Sequence, residues 1–348
     1  MPTKHPLTSA RTSARTSART SARILGSLAT AAGLLLLLPS VPGPLGAAVD
    51  AQASAQQDVR MNRTIETLEA GHPVFGLFTE NLSLANARAL AGSGLDFLFI
   101  DMEHSPFDME TLRIFLLGMQ DVRTVAQQGN PQMRVTPIVR VPMNGREPMQ
   151  WALKQVLDMG AFGIMVPFVD TRDEALAVIQ AMRYPQSQGS EIMEPLGQRG
   201  SSPGIATWLW GVPDYRTRAD TWPLNPRGDL VAVLQIESPL GVENIEEIIT
   251  VPGVGAIFIG PADLALQYGL PGNHPDVVAG IDRVLAACLA HDVPCGITTS
   301  AGNVEARLEQ GFRFVTVGYW GDAGIGAGTS EALGIARRVS GRDGGEDR

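Results

Sequence analysis

The chain has 348 residues, 27 basic and 36 acidic, a net charge of −9 and a pI near 5.1. Setting aside residues 1–53 removes five basic residues and one acidic, leaving 22 against 35, or −13. A body that acidic repels nucleic acid and anionic lipid, and no basic stripe with interleaved aromatics offsets it.

The first 55 residues read as a separate piece. Four Thr-Ser-Ala-Arg units run from Thr8 to Arg23, an apolar stretch follows from Ile24 to Val41, and small residues close it. That order predicts a secretory signal ahead of a disordered N-terminal segment. The expectation is an exported protein, periplasmic or extracellular, with no stable membrane contact after cleavage. The alternative is an uncleaved signal that anchors the chain at the membrane, because the apolar run is close to spanning length. Cys288 and Cys295 are the only cysteines. Export permits a disulfide, but both stand in apolar runs, and the favoured reading is two buried free thiols.

From Val74 the chain alternates short apolar runs with amphipathic ones. The strand-like runs are Val74–Thr79, Asp96–Asp101, Thr136–Val141, Phe162–Pro167, Val231–Glu237, Ala256–Gly260, Val293–Thr298 and Arg313–Gly318. Helical periodicity covers Leu82–Gly92, Glu147–Met159, Arg172–Arg183, Val242–Thr250, Val277–His291 and Asn303–Gln310. Eight successive β-then-α units predict an α/β fold, a closed (β/α)8 TIM barrel over residues 56–342. An open doubly wound sheet has less support, since no Gly-rich phosphate turn follows the first strand. Residues 343–348 read as a disordered tail. Residues 186–229, rich in Gly, Pro, Ser and Trp, are expected over the barrel mouth near the active-site face; the plain alternative is a surface loop.

Strand ends carry the chemistry of such barrels. Here they hold Asp101, Glu103 and His104, then Arg140, Gln235 and Glu237, then Asp263. Glu237 and Asp263 end neighbouring strands, and two converging carboxylates repel unless a cation sits between them. Oxygen ligands favour Mg²⁺ or Mn²⁺. The alternative for Asp263 is a helix N-cap. Imidazole is the side chain suited to general-base work near neutral pH, and His104 has the strand-end position for it. His72, His274 and His291 read as surface or packing residues. Arg140 lies in a strongly apolar strand and needs an anion or a polarised oxygen, or else a structural pair with Asp101 or Glu103. Gly260, Pro261 and Ala262 open a short helix whose free N–H groups suit a substrate carboxylate. Lys154 is the only lysine beyond Lys4 and lies mid-helix, so a Schiff base has no nucleophile.

At these residues the sequence resembles the HpcH/HpaI family of class II 2-oxo-acid aldolases, within the citrate lyase-like superfamily. The markers, in order, are Gly92–Phe97 with Ile100–His104, Pro137–Pro142, Leu157–Gly160 with Met165–Pro167, Arg183–Pro185, Gln235–Glu237 and Phe258–Leu264. The resemblance implies a pyruvate-type barrel with Mg²⁺, Mn²⁺ or Co²⁺ on Glu237 and Asp263. Pyruvate would be chelated through carboxylate and keto oxygen, and an aldehyde would be its partner. His104 would be the base, Arg140 the group on the keto oxygen, and Gln235 a neighbour in the pocket. Asp158 matches an acid that, in the family, orients a neighbouring subunit's histidine. A homo-oligomer, trimer or hexamer, would follow, with the C-terminal helix partly exchanged. Two rivals stand beside this reading. One is a CoA-thioester lyase of the citrate or malyl-CoA lyase type, which would want basic residues for the phosphates. The other is an exported barrel that binds an oxo acid without turning it over.

Overall fold

In the computed structural model residues 59–142, 150–318 and 324–342 are described. The leader, the apolar run and the tail discussed above (residues 1–58 and 343–348) lie outside them. Among the described residues no helix is long and apolar enough to cross a membrane.

The order of elements is α1 (Arg63–Glu69), β1 (Val74–Thr79), α2 (Leu84–Ala91), β2 (Phe97–Asp101), α3 (Met109–Gly118), α4 (Val122–Gln128), β3 (Thr136–Arg140), α5 (Gln150–Asp158), β4 (Gly163–Val166), α6 (Arg172–Met182), α7 (Gly204–Trp210), α8 (Tyr215–Arg218), β5 (Thr221–Trp222), β6 (Leu230–Ile236), α9 (Pro239–Glu243), α10 (Ile245–Ile249), β7 (Ala256–Ile259), α11 (Pro261–Tyr268), α12 (Pro275–Ala290), β8 (Cys295–Thr298), α13 (Val304–Gln310), β9 (Phe314–Thr316) and α14 (Ala327–Val339). All strand pairs are parallel. β1 pairs with β2 and β9, and the ladder runs through β3, β4, β6, β7 and β8 until it closes. The barrel has eight strands, as the sequence predicts. The two-residue β5 lies outside it, against the start of β6.

Residues two apart on a strand share a face. Val231 and Val233 of β6, Phe97 and Phe99 of β2, Phe78, Phe258, Phe314, Ile138 and Met165 meet in one cluster inside the barrel. The rings of Phe97 and Phe314 lie 4.4 Å apart, and those of Phe99 and Phe258 meet edge-on at 5.3 Å. Small residues make room: a Cβ on Gly76 would stand 2.4 Å from the Phe97 ring, and one on Gly296 would stand 2.3 Å from Phe258. Each buried phenyl group contributes about 1.5–3 kcal/mol. The helices cover the outside, which is why the strands are buried on both faces.

The end where the strands begin is closed by α1. Its Asn62 cap accepts from the Ile65 N–H, and the amide donates to the carbonyls of Phe162 and Asp229. Ile65 and Leu68 press into the barrel interior. Ion pairs surround this plug. Asp229, fully buried, accepts from Arg218 at 3.1 Å and lies 3.6 Å from Arg60. Burial still holds its carboxyl above the ordinary range, against the pull of those two arginines. Asp220 pairs with the buried Arg183 at 2.6 Å, and Asp96 with Arg342 at 2.7 Å.

Residues 186–229 belong to this closed end, which corrects their expected place over the mouth. α6 runs back from the end of β4 to the base, and β6 starts from the base, so the segment between them has both its ends there. Trp210 stacks on Phe162 at 4.1 Å and donates from its indole to the Gly160 carbonyl, beside the start of β4. The Trp222 indole donates to Glu69 of α1.

Other elements differ from expectation in smaller ways. The helix expected over Val242–Thr250 is two short ones, α9 and α10, meeting at Asn244, whose amide donates to the Asp170 carbonyl. The start expected for α5 at Glu147 lies outside the described residues. The sequence reading omits α3 and α4, each opened by an aspartate cap, Asp108 and Asp121. The C-terminal α14 packs on its own barrel: Arg337 donates to the Gly94 carbonyl, and Arg342, just beyond the helix, to that of Pro73. Cys288 and Cys295 are buried and free, as favoured, and burial with the neighbouring Cys288 thiol pushes Cys295 well up.

Candidate active site

The open end of the barrel gathers the polar strand exits over the phenylalanine core. Asp101, last in β2, is fully buried. It accepts from Arg140 Nε at 3.0 Å and again from Arg140 Nη2, because β2 and β3 place Asp101 beside Arg140. The backbone N–H groups of Glu103 and His104 also donate to Asp101, at 3.1 and 3.4 Å. One carboxylate thus fixes the arginine and the turn that carries the imidazole. Arg140 Nη1 lies 3.2 Å from Glu103, and the guanidinium sits 4.6 Å above the Phe78 ring. Burial works against its charge, but the bonds to Asp101 and the charges of Glu103 and Glu237 outweigh it and raise its pKa. The structural pairing weighed for Arg140 is therefore present, with both acids. His104 Nε2 lies 3.4 Å from Glu103, and its side chain is 57% exposed.

Gln235 and Glu237 emerge from β6 on the interior face, continuing the row of Val231 and Val233. Gln235 Nε2 donates to Glu237 Oε2 at 2.6 Å, and the Phe168 N–H donates to Glu237 Oε1 at 3.2 Å. Gly260 stands opposite, because β6 and β7 run in register up to Ile236 and Ile259. A Cβ there would lie 2.1 Å from Glu237 Oε2. Glycine at this exit leaves the carboxylate its space.

Gly260 also occupies the N-cap position of α11, with no side-chain cap, and Pro261 and Ala262 form its first turn. Asp263, half-buried, is the third helical residue rather than the cap, so the capping alternative does not hold. Its charge reaches the other acids instead. Burial, then Asp263 and Glu103, hold Glu237 well above the usual carboxylate range. Glu103 is raised too, by burial first, against the opposing charges of Arg140 and His104.

Asp158 is not brought to this cluster within the chain. It is the last residue of α5, which runs from the open end to the base. There its Oδ1 accepts from the buried Arg199 at 2.9 Å.

Among the described residues no group of three or more His, Cys, Asp and Glu side chains gathers closely enough to hold a metal ion. The arrangement still fits a cation with two protein carboxylates. Glu237 and Asp263 repel each other, and Gln235 Oε1, two residues before Glu237 on β6, is a buried acceptor with no partner. A buried acceptor beside uncompensated carboxylates lacks positive charge.

Comparison with known proteins gives a consistent picture. The model of the HpcH/HpaI aldolase/citrate lyase family matches residues 74–327. The 5-keto-4-deoxy-D-glucarate aldolase of Salmonella paratyphi A is 34% identical over 262 residues, covering 74% of this chain and 90% of that protein. The crystal structure of an HpcH/HpaI aldolase/citrate lyase family protein from Burkholderia cenocepacia J2315 superposes with a TM-score of 0.62 at 33% identity, covering 74% of this chain and 92% of that one. Macrophomate synthase superposes with a TM-score of 0.58 at 25% identity, over 82% and 91%. The chain belongs to the HpcH/HpaI aldolase/citrate lyase family and is a carbon–carbon lyase of the aldolase/lyase type.

Proposed function

We propose that the chain is a divalent-metal-dependent class II aldolase that cleaves a 4-hydroxy-2-oxo acid to pyruvate and an aldehyde, and runs the addition in reverse. The observation that carries the reading is the mutual repulsion of Glu237, Asp263 and Glu103 at the open end, where a single arginine, Arg140, is shared between Asp101 and Glu103 and the buried Gln235 Oε1 has no partner. The 34% identity to 5-keto-4-deoxy-D-glucarate aldolase supports a deoxy keto sugar acid as substrate.

Glu237 and Asp263 would hold Mg²⁺ or Mn²⁺, which when bound supplies positive charge to the carboxylate and keto oxygens of a 2-oxo acid. The first-turn N–H of Ala262, which follows Gly260 and Pro261 at the start of α11, favours the substrate carboxylate. Arg140, braced by Asp101, presents a fixed charge to the keto oxygen as it becomes an enolate oxygen. His104, directly or through water, removes the proton of the 4-hydroxyl. The C3–C4 bond then breaks, its electron pair passes to the enolate, and the new carbonyl compound departs. Reprotonation at C3 completes pyruvate. Glu103 beside His104 favours the imidazolium that forms when the base takes the proton.

The test is a retro-aldol assay with and without chelator, alongside exchange of the pyruvate methyl protons in D₂O. Activity indifferent to chelator and undiminished in Glu237→Ala refutes the reading. Cleavage of a CoA thioester in place of an oxo acid would replace it.

A further inference from the structure

Phe168 has a backbone φ of +50°, one of two non-glycine residues in the left-handed region among the described residues. A bulky residue there is a genuine outlier, and such strain concentrates at functional sites. Its position explains what the strain achieves. β4 and β6 pair with Gly163 opposite Val231 and Val166 opposite Leu234, and the Val231 N–H donates to the Phe162 carbonyl. Continued along a parallel ladder, in which alternate residues donate, this register brings the Phe168 N–H to the Gln235 carbonyl. Instead the Val169 N–H takes that carbonyl, at 3.1 Å. One extra residue has been inserted at the exit of β4, as in a bulge, a device that recurs beside active sites. The slip frees the Phe168 N–H, which donates to Glu237 Oε1. The ring is half-buried and is not part of the apolar core.

We infer that Phe168 is a positioning residue: its left-handed backbone adds one residue to the end of β4 so that its amide holds the Glu237 carboxylate in place for a divalent cation. The inference rests on the metal-site reading above. Glu237 is then gripped from both strands, by the Gln235 amide on Oε2 and the Phe168 amide on Oε1. Neither donor comes from an ordinary backbone ladder bond.

The experiment titrates Mn²⁺ into metal-free protein and reads free Mn²⁺ by electron paramagnetic resonance, with circular dichroism to confirm folding. Phe168→Pro removes both the N–H and the positive φ, and should weaken Mn²⁺ binding by about 10-fold or more, the factor for one hydrogen bond to a charged group. Phe168→Val keeps the N–H but is β-branched, and should weaken it by less. Phe168→Gly adopts the same φ without cost, keeps the amide and should retain wild-type affinity. A folded Phe168→Pro that binds Mn²⁺ like the wild type overturns the inference. So does a Phe168→Gly as weak as Phe168→Pro, which would assign the effect to the ring. If Phe168→Pro does not fold, the Val and Gly variants decide: equal affinities overturn the inference, and a weaker Val variant supports it. Glu237→Gln separates the two levels. If it binds Mn²⁺ like the wild type, the metal-site reading fails and takes this inference with it; if it weakens while Phe168→Pro does not, only this inference fails.

Discussion

At the closed end of the barrel each of the four buried acids faces an arginine: Asp96 with Arg342, Asp158 with Arg199, Asp220 with Arg183 and Asp229 with Arg218. At the open end one arginine, Arg140, is shared by Asp101 and Glu103, while Glu237 and Asp263 make no ion pair among the described residues. Both ends cost desolvation energy. At the base that cost is offset inside the chain and orders loops around the plug. At the mouth no matching offset is present among the described residues. Conservation of charge inside a fold reads as stability, and its violation reads as a site.

The largest effect should come from Glu237→Ala, which should lower kcat on the order of 10³-fold, equivalent to several kcal/mol of transition-state charge stabilisation. Chemical denaturation of the metal-free variant should show no loss of stability; a marked loss would mean that Glu237 serves the fold, as the base acids do. Asp229→Ala should do the opposite. It removes the buried acceptor shared by Arg218, Arg60 and the N–H groups of Met61 and Asn62, and should destabilise by about 3–5 kcal/mol with turnover per folded molecule unchanged. Gly260→Ala, which pushes a methyl group against Glu237, should weaken Mn²⁺ affinity roughly 10–100-fold, as changes next to a metal ligand do.

A pH series sharpens the contrast further. Glu237 is held above its ordinary value by burial, so over the interval above that value the folded chain keeps a proton that the unfolded chain has lost. Stability of the metal-free protein should fall as pH rises through that interval. Glu237→Gln or saturating Mn²⁺ should remove this share of the slope. The share from Asp229, raised in the same direction, should survive both. A slope untouched by Glu237→Gln would contradict the reading. The smallest effect belongs to Arg227→Ala on the rim of the base, where a 66% exposed arginine meets Asp214 at 3.3 Å; thermal unfolding should register no more than about 1 kcal/mol.

The barrel was legible in the sequence because every barrel strand is an apolar run and polar or small residues stand at or just past most exits, as at Thr79, Asp101, Arg140, Glu237, Gly260 and Thr298. The row Val231, Val233, Gln235, Glu237 shows why: one face passes from core to chemistry within seven residues. Less legible were features that depend on partners far along the chain. Nothing in residues 186–229 says that Trp210 stacks on Phe162 at the base, and only the direction of α6 and β6 reveals it. The bracing of Arg140 by both Asp101 and Glu103 needed the β2–β3 register. Phe168 carried no signal, since a phenylalanine after a proline does not announce a left-handed backbone. Asp158 was singled out by resemblance alone, and within one chain it belongs to the base.

The plug has a practical consequence. Val59 is held by Arg218 and Arg342 by Asp96, so both described ends of the polypeptide leave from the sealed side. A bead or a surface joined at Val59 or Arg342 would hold the barrel with its open end turned away from the support. Immobilisation should therefore leave access for reactants intact.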